Sequence, residues 1–199
     1  MGAAMGATTK AKPFLLLPLL VGLSPLSAAG VRTVDPERSS LTVHVGKTGL
    51  LSALGDTHTV RAPLASGSVH EGDPPSVEIT VDARRMTVLD PDLKPEKRDE
   101  VQKRMLGPEV LDVDRYKEIR FRSTAVRPQG ESRWRVEGIL TLRDRGVPIS
   151  FDVQNVKDRF RGKATVSQKA YGIKPISAGG GTVKVKDELE VVFEIATKP

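Results

Sequence analysis

From Val31 onward the chain alternates apolar and polar residues, and this period of two is the feature that most constrains its fold. Leu41, Val43 and Val45 alternate with Thr42, His44 and Gly46, and Val77, Ile79, Val81 and Ala83 with Glu78, Thr80 and Asp82. Ile119, Phe121 and Ala125 are set against Arg120, Arg122 and Thr124. Trp134, Val136, Leu140 and Leu142 are set against Arg133, Arg135, Glu137 and Thr141. The pattern continues through 147–153, 160–166 and 189–195, and a further strand is expected over 60–70. About eight strands result, separated by turn-rich pieces such as Glu71-Gly72-Asp73-Pro74-Pro75 and Pro128-Gln129-Gly130-Glu131, with no internal repeat and no linker.

Many antiparallel strands with one apolar face suit a sandwich or a closed barrel. Charge decides which face meets water. One parity carries Arg120, Arg122, Arg133, Arg135, Glu137, Arg159, Arg161, Lys163, Glu188, Glu190 and Glu194. The interior of an eight-stranded barrel is only just filled by side chains and cannot hold that load. Aromatics are 4% of the chain, too few for the girdles of an outer-membrane barrel. The charged face is therefore expected outside and the apolar face inside. Ser123, Gly138, Gly162 and Ala164 share the inward parity. Small residues there either let strands bend and close or leave volume for a ligand, and the thin lining leans toward a cavity.

One segment breaks the rhythm. Pro95–Leu106 lacks strand formers except Val101, has acids early and bases late, starts with proline and is closed by Gly107-Pro108, all signs of a helix. Val101 and Met105 would share its apolar stripe. A short helical turn is also expected over 49–54.

Residues 1–29 contain Lys10, Lys12 and no acid, then an apolar run from Phe14 to Leu26 that ends in Ser27-Ala28-Ala29. That is the pattern of a secretory signal peptide, and the 13-residue run with Pro18 and Pro25 is short for a membrane span of roughly 20 residues. Cleavage near Ala29 would leave a 30–199 domain and lower the net charge from +6 to +4 through loss of the two lysines. A periplasmic or secreted location is expected.

Catalytic chemistry finds little support. The absence of cysteine removes disulfides, thiolate metal sites and cysteine nucleophiles. Asp56 and His58, with His44, are weak in spacing and number for a metal, so none is expected. Ser52 near His58 lacks a nucleophile elbow. Inward carboxylates for a glycosidase are few by parity. His70-Glu71 reads as an exposed turn, and Gly179-Gly180-Gly181 as a flexible loop without a phosphate signature. Nucleic acid is the wrong partner for an exported chain so poor in aromatics. The Arg120/Arg122 and Arg133/Arg135 face is either solvated or drawn to an anionic membrane surface.

The order of motifs resembles the YceI-like family of exported, lipocalin-like proteins over nearly the whole chain after residue 30. The residues that carry the likeness begin with Val34-Asp35-Pro36-x-x-Ser39-x-Leu41-x-Val43 and Glu96-Lys97-Arg98-Asp99. Leu111-Asp112-Val113-x-x-Tyr116-x-x-Ile119-x-Phe121-x-Ser123, Gly138-x-Leu140-Thr141-Leu142 and Pro148-Ile149 come next. Tyr171-Gly172-Ile173 and a last strand over 187–195 complete the order. The resemblance implies an all-β, eight-stranded antiparallel barrel with a short helix (about 95–106) near one mouth. It also implies an isoprenoid-type lipid or quinone bound inside, with neither catalytic residues nor cofactor. The chain departs from the family pattern at Arg143-Asp144-Arg145-Gly146, where the glycine is displaced. It departs again at Lys117, which replaces a proline, and at Gly55-Asp56-Thr57-His58, where some relatives carry two histidines. Candidate lining residues are Val77, Ile79, Val81, Ile119, Phe121, Trp134, Val136, Leu140, Phe151, Phe160, Val191 and Phe193. The alternative is a stress-associated structural or interaction protein with a filled barrel and no ligand. A homodimer is compatible with either reading.

Overall fold

The computed structural model describes residues 1–2, 30–48, 58–178 and 183–199. The proposed leader after Gly2, the turn expected over 49–54, Ser52, Asp56 and the Gly179–Gly181 loop lie outside the described residues.

Eight strands form a closed antiparallel ring: β1 (Val31–Thr48), β3 (Leu64–His70), β4 (Ser76–Asp82), β6 (Glu118–Pro128), β7 (Arg133–Leu142), β8 (Arg145–Val156), β9 (Arg159–Ser167) and β11 (Val183–Thr197), which pairs back onto β1. Short strands extend the sheet. β2 (His58–Arg61) pairs with the second half of β1, β5 (Thr87–Val88) with β2, and β10 (Ser177–Ala178) with β11. The strand expected over 60–70 is divided at Ala62-Pro63, because proline offers no amide to a sheet ladder.

Two irregularities invert the alternation. In β1, the six residues from Asp35 to Ser40 oppose three on β11, from Ala196 to Glu194. Asp35 Oδ1 accepts the amides of Glu37 (3.1 Å) and Arg38 (3.3 Å), and Ser39 Oγ accepts the Ala196 amide at 2.9 Å. The Asp35-Pro36-x-x-Ser39 motif thus satisfies the backbone across the bulge. Inward parity is even before it, at Val34, and odd after it, at Leu41 and Val43. A second bulge between Ser123 and Ala125 corrects the expected parity of β6: Ala125 pairs with outward Glu137, and Val126 pairs with inward Val136.

The helix α1 (Pro95–Leu106) has the expected bounds, and Val101 and Met105 pack on the core. Gln102 ties it down: its Oε1 accepts the Val88 amide and its Nε2 donates to the Met86 carbonyl, both at 2.8 Å. Lys117 contributes only its carbonyl, which accepts the Ala83 amide at 2.9 Å, so this position does not require proline.

Outside, the charges pair across strands. Glu78–Arg122 (3.0 Å), Arg135–Asp152 (3.0 Å) and Arg161–Glu194 (2.7 Å) each join directly opposed residues. Exposed pairs of this kind contribute about 0.2–1 kcal/mol each, and a one-residue slip would bring every one of them inside.

Two hairpins close in two residues without glycine. Arg143 and Asp144 have φ of 51° and 55°, and Lys157 and Asp158 have φ of 53° and 60°. Both turns have the left-handed backbone that a two-residue hairpin prefers, and that conformation costs a non-glycine residue about 1–2 kcal/mol. Asp144→Gly and Asp158→Gly are each expected to raise unfolding free energy by about 0.5–1 kcal/mol in urea titrations, additively, since the turns lie at opposite ends of the barrel.

The crossover after β9 depends on Asp187. The amide of Lys169 and then the hydroxyl of Ser167, both 2.8 Å away, hold its carboxyl below the ordinary value of 3.8. Stability from a depressed carboxyl is present above its unfolded value and is lost as pH falls through the folded value. Below about pH 4 the wild type should therefore lose stability more steeply than Asp187→Asn, as read by thermal melts across an acid series.

Candidate functional site

The inward side chains enclose a cavity of about 480 Å³. Its wall is apolar around the whole ring, from Leu41 and Val43 on β1 to Leu189, Val191, Phe193 and Ile195 on β11. All twelve candidate lining residues, from Val77 to Phe193, face it. Sequence parity also marked Leu41 and Val43, which belong beside them. Val126 was hidden by the bulge in β6, and Met86 and Leu111 by lying outside the ring strands.

An aromatic line crosses the interior. The Phe121 and Phe151 rings are 5.2 Å apart and those of Phe151 and Phe193 are 5.4 Å apart, with Trp134 edge-on to Phe160 at 6.1 Å. The inward glycines serve these rings. A Cβ on Gly138 would stand 2.5 Å from the Phe121 ring and 2.4 Å from the Arg122 carbonyl. A Cβ on Gly162 would stand 2.5 Å from both the Phe193 ring and the Asp152 carbonyl. The space freed by these two glycines is thus filled by phenylalanine and is not left to a ligand. Ser123 has a backbone role, its Oγ accepting the Val77 amide at 2.8 Å, while Ala164 does line the cavity.

The two ends of the barrel differ. One carries α1, the 3-10 turns Ala83–Arg85 and Lys169–Tyr171, and the β7–β8 hairpin. Met86 and Leu111 close the cavity there, both nearly without solvent exposure. Tyr171 forms a second buried cluster with Val166 and Ile173, against which Leu140, Leu142 and Val191 pack. Its position follows from Gly172, whose φ of 75° turns the chain so that the Ile173 amide reaches the Gln168 carbonyl at 3.1 Å. The Tyr171 hydroxyl is buried without a hydrogen-bond partner, and burial pushes its pKa up to about 12, so the phenol stays neutral.

The other end carries the β3–β4, β6–β7 and β8–β9 turns and, among the described residues, no helix. His70, Glu71, Gly72, Pro75 and Ser76 line the cavity at this rim. Glu71 is exposed in the turn that follows β3, as expected, and that turn also borders the cavity. His70 and Ser76 pair with each other on the outer face beside inward Val69 and Val77, so they meet the cavity only at its lip, a placement that local sequence does not mark.

His58 stands on a strand, not on a polar loop. It opens β2 opposite inward Val45, whereas His44 lies on the outer face. Its Nδ1 sits 2.6 Å from Asp90 Oδ2, and Asp90 Oδ1 accepts the Thr59 amide at 2.7 Å. Among the described residues no group of three or more histidines and carboxylates is placed to hold a metal.

Gly138→Ala and Gly162→Ala are expected to destabilise the barrel by about 1–3 kcal/mol each. The clash in each case includes a backbone carbonyl that cannot swing aside. Urea titrations check the magnitude, and near-UV circular dichroism should show disturbed packing of the aromatic line.

A family model described as YceI-like domain matches residues 33–197. No curated protein matches the chain by sequence. Among solved structures, BcnA of Burkholderia cenocepacia has a TM-score of 0.62 at 17% identity, over 81% of this chain and 98% of that one. A Campylobacter jejuni YCEI protein has a TM-score of 0.48 at 11% identity, over 69% of this chain and 84% of that one. At such identities a structural likeness shows the fold alone. The family model does more, since it spans the barrel from the third residue of β1 to the last residue of β11. The chain belongs to the YceI-like family.

Proposed function

We propose that the protein binds and carries an amphiphile with a long apolar tail, a polyisoprenoid or isoprenoid quinone, inside the barrel and without catalysis. It would act in the periplasm, or as a secreted protein, after removal of a leader near Ala29. One observation carries this reading: a closed ring encloses about 480 Å³ whose wall is apolar, with polar residues only at one rim. The family, one of ligand-binding barrels, agrees with it.

Size and energetics are consistent. At roughly 30 Å³ per heavy atom, about 480 Å³ accepts about sixteen carbons, close to three isoprene units. Burying about fifteen carbons at ~0.8 kcal/mol each gives roughly 12 kcal/mol gross, and association and tail ordering remove an appreciable share. Micromolar to nanomolar affinity follows for a tail that is partly enclosed. The cavity weighs against the alternative of a filled barrel. An anionic membrane surface as a second partner has less support, because Arg120, Arg122 and Arg135 are each paired to a carboxylate.

Native mass spectrometry of the protein purified from its own cells tests the reading. An apolar species should accompany the wild type, on a chain beginning at Gly30. Trp134→Ala should weaken retention by about tenfold, and Ala164→Met, which fills the cavity without removing a ring, should do so independently. A ligand-free mass that takes up no added polyprenyl lipid would overturn it.

A further inference from the structure

The cations of this chain are paired along the wall and unpaired at one end. On the outer face of the ring strands, Arg120, Arg122, Arg127, Arg135, Arg161 and Lys163 each meet a carboxylate. At the end that carries α1, Arg143, Arg145, Lys169, Lys174, Lys184 and Lys186 form no ion pair among the described residues. All six are exposed except Arg143, which is half-buried.

Local structure gathers them. Arg143 and Arg145 belong to the β7–β8 hairpin, and Arg145 Nη1 donates to the Ala170 carbonyl at 3.3 Å, which sets it against the 3-10 turn that carries Lys169. Gln168 Nε2 donates to the Lys186 carbonyl at 2.8 Å, and Ser177 on β10 opposes Lys184 on β11. The crossover after β9 therefore lies along the start of β11. Between them runs an open groove of about 690 Å³, lined by Lys169, Lys184 and Lys186, with Ser177 adding a hydroxyl.

Three carboxylates share these segments. Asp187 is engaged by the Lys169 amide and the Ser167 hydroxyl, Asp144 lies between the two arginines of the hairpin, and Glu188 lines the groove. The six cations outnumber them two to one. At the opposite end the order is reversed: the turns over 71–75, 129–133 and 157–158 carry Glu71, Asp73, Glu131 and Asp158 against Arg133 and Lys157. Such a separation of charge turns a molecule toward a surface of opposite sign.

A long apolar tail is driven out of water and into a bilayer, so a carrier has to meet a membrane to load or deliver it. Resting on the carrier reading for the nature of the partner, we propose that this basic end docks on an anionic membrane surface, with lipid headgroup phosphates against the lysine groove. The paired arginines weigh against membrane contact by the wall and leave this end as the docking surface. Each lysine or arginine near an anionic bilayer strengthens binding about fivefold, and the gains multiply over a cluster.

Co-sedimentation of the protein purified from its own cells tests the proposal. Vesicles of phosphatidylcholine with about a third phosphatidylglycerol should bind it, vesicles of phosphatidylcholine alone should not, and about 0.5 M sodium chloride should release it. Combining Lys169→Gln, Lys184→Gln and Lys186→Gln should weaken binding about a hundredfold with unchanged far-UV circular dichroism. Arg133→Gln with Lys157→Gln, at the opposite end, should stay within about twofold of wild type. Equal binding to both vesicles, or an equal loss in both variants, would overturn the proposal. Displacement by inorganic phosphate at constant ionic strength would assign the groove to a soluble anion and overturn it too. So would a larger species at low salt, absent from the lysine variant and indifferent to vesicles, which would mark the basic end as a contact with the acidic end of a second copy. Native mass spectrometry separates this outcome from the carrier function. A lysine variant that keeps its apolar species while wild type shows no vesicle preference would sink docking alone, and a ligand-free protein that still prefers anionic vesicles would sink carriage alone.

Discussion

The structure depends on the pairing of its first strand with its last. β1 and β11 run together from Val34↔Thr197 to Thr48↔Lys184, and without that ladder the ring strands would form an open sheet with two long edges. An open edge invites pairing with other chains, and closure removes it. Closure also creates the interior. The residues on β1 and β11 that complete the wall, Leu41 and Val43 against Phe193 and Val191, are the paired residues themselves. A contact so distant in sequence carries a large loop entropy, so it is expected to form after the local hairpins from β6 to β9.

That pairing needs a bend, and the bend is chemically specific. The β1 strand pairs with β3 at Val31–Thr33 and with β2 at Thr42–Val45, two neighbours that a straight strand of uniform parity would not serve. The Asp35–Ser39 bulge makes the change of course, and its side chains take over backbone bonds that the ladder loses. The same economy recurs in β6, where the Ser123 hydroxyl receives the Val77 amide beside the second bulge. Both motifs look from sequence like polar interruptions of an apolar pattern, and both hold the curvature of the wall.

What could be read from sequence was whatever lies within one element. Alternation located the ring strands, the reversal of acids and bases bounded α1, and the charge load of one parity assigned the outer face. Properties joining distant residues were not legible. Val126 replaces Ala125 inside because one residue bulges out against a strand ten residues away. His58 meets Asp90 across 32 positions, and nothing near either residue announces it. Gly138 and Gly162 had the right parity, but their purpose depends on Phe121 and Phe193, whose rings lie on neighbouring strands. The rim was missed because a turn outside the strands and a turn over a cavity have the same composition.

If the cavity takes an apolar tail as proposed, the character of its wall has a physical consequence. An apolar wall gains free energy in proportion to area, so it distinguishes tails by length and girth and hardly at all by the pattern of double bonds. A methylene more or less changes affinity by a modest factor, which makes such a barrel tolerant of many hydrocarbons. Discrimination must therefore come from polar groups that would be left unpaired by the wrong head. In this chain those groups are few and gathered at the end that α1 does not cover. On the proposed function, the aromatic line of Phe121, Phe151 and Phe193 would therefore set how much tail is held, and the wall around it would leave the choice of head to residues outside it.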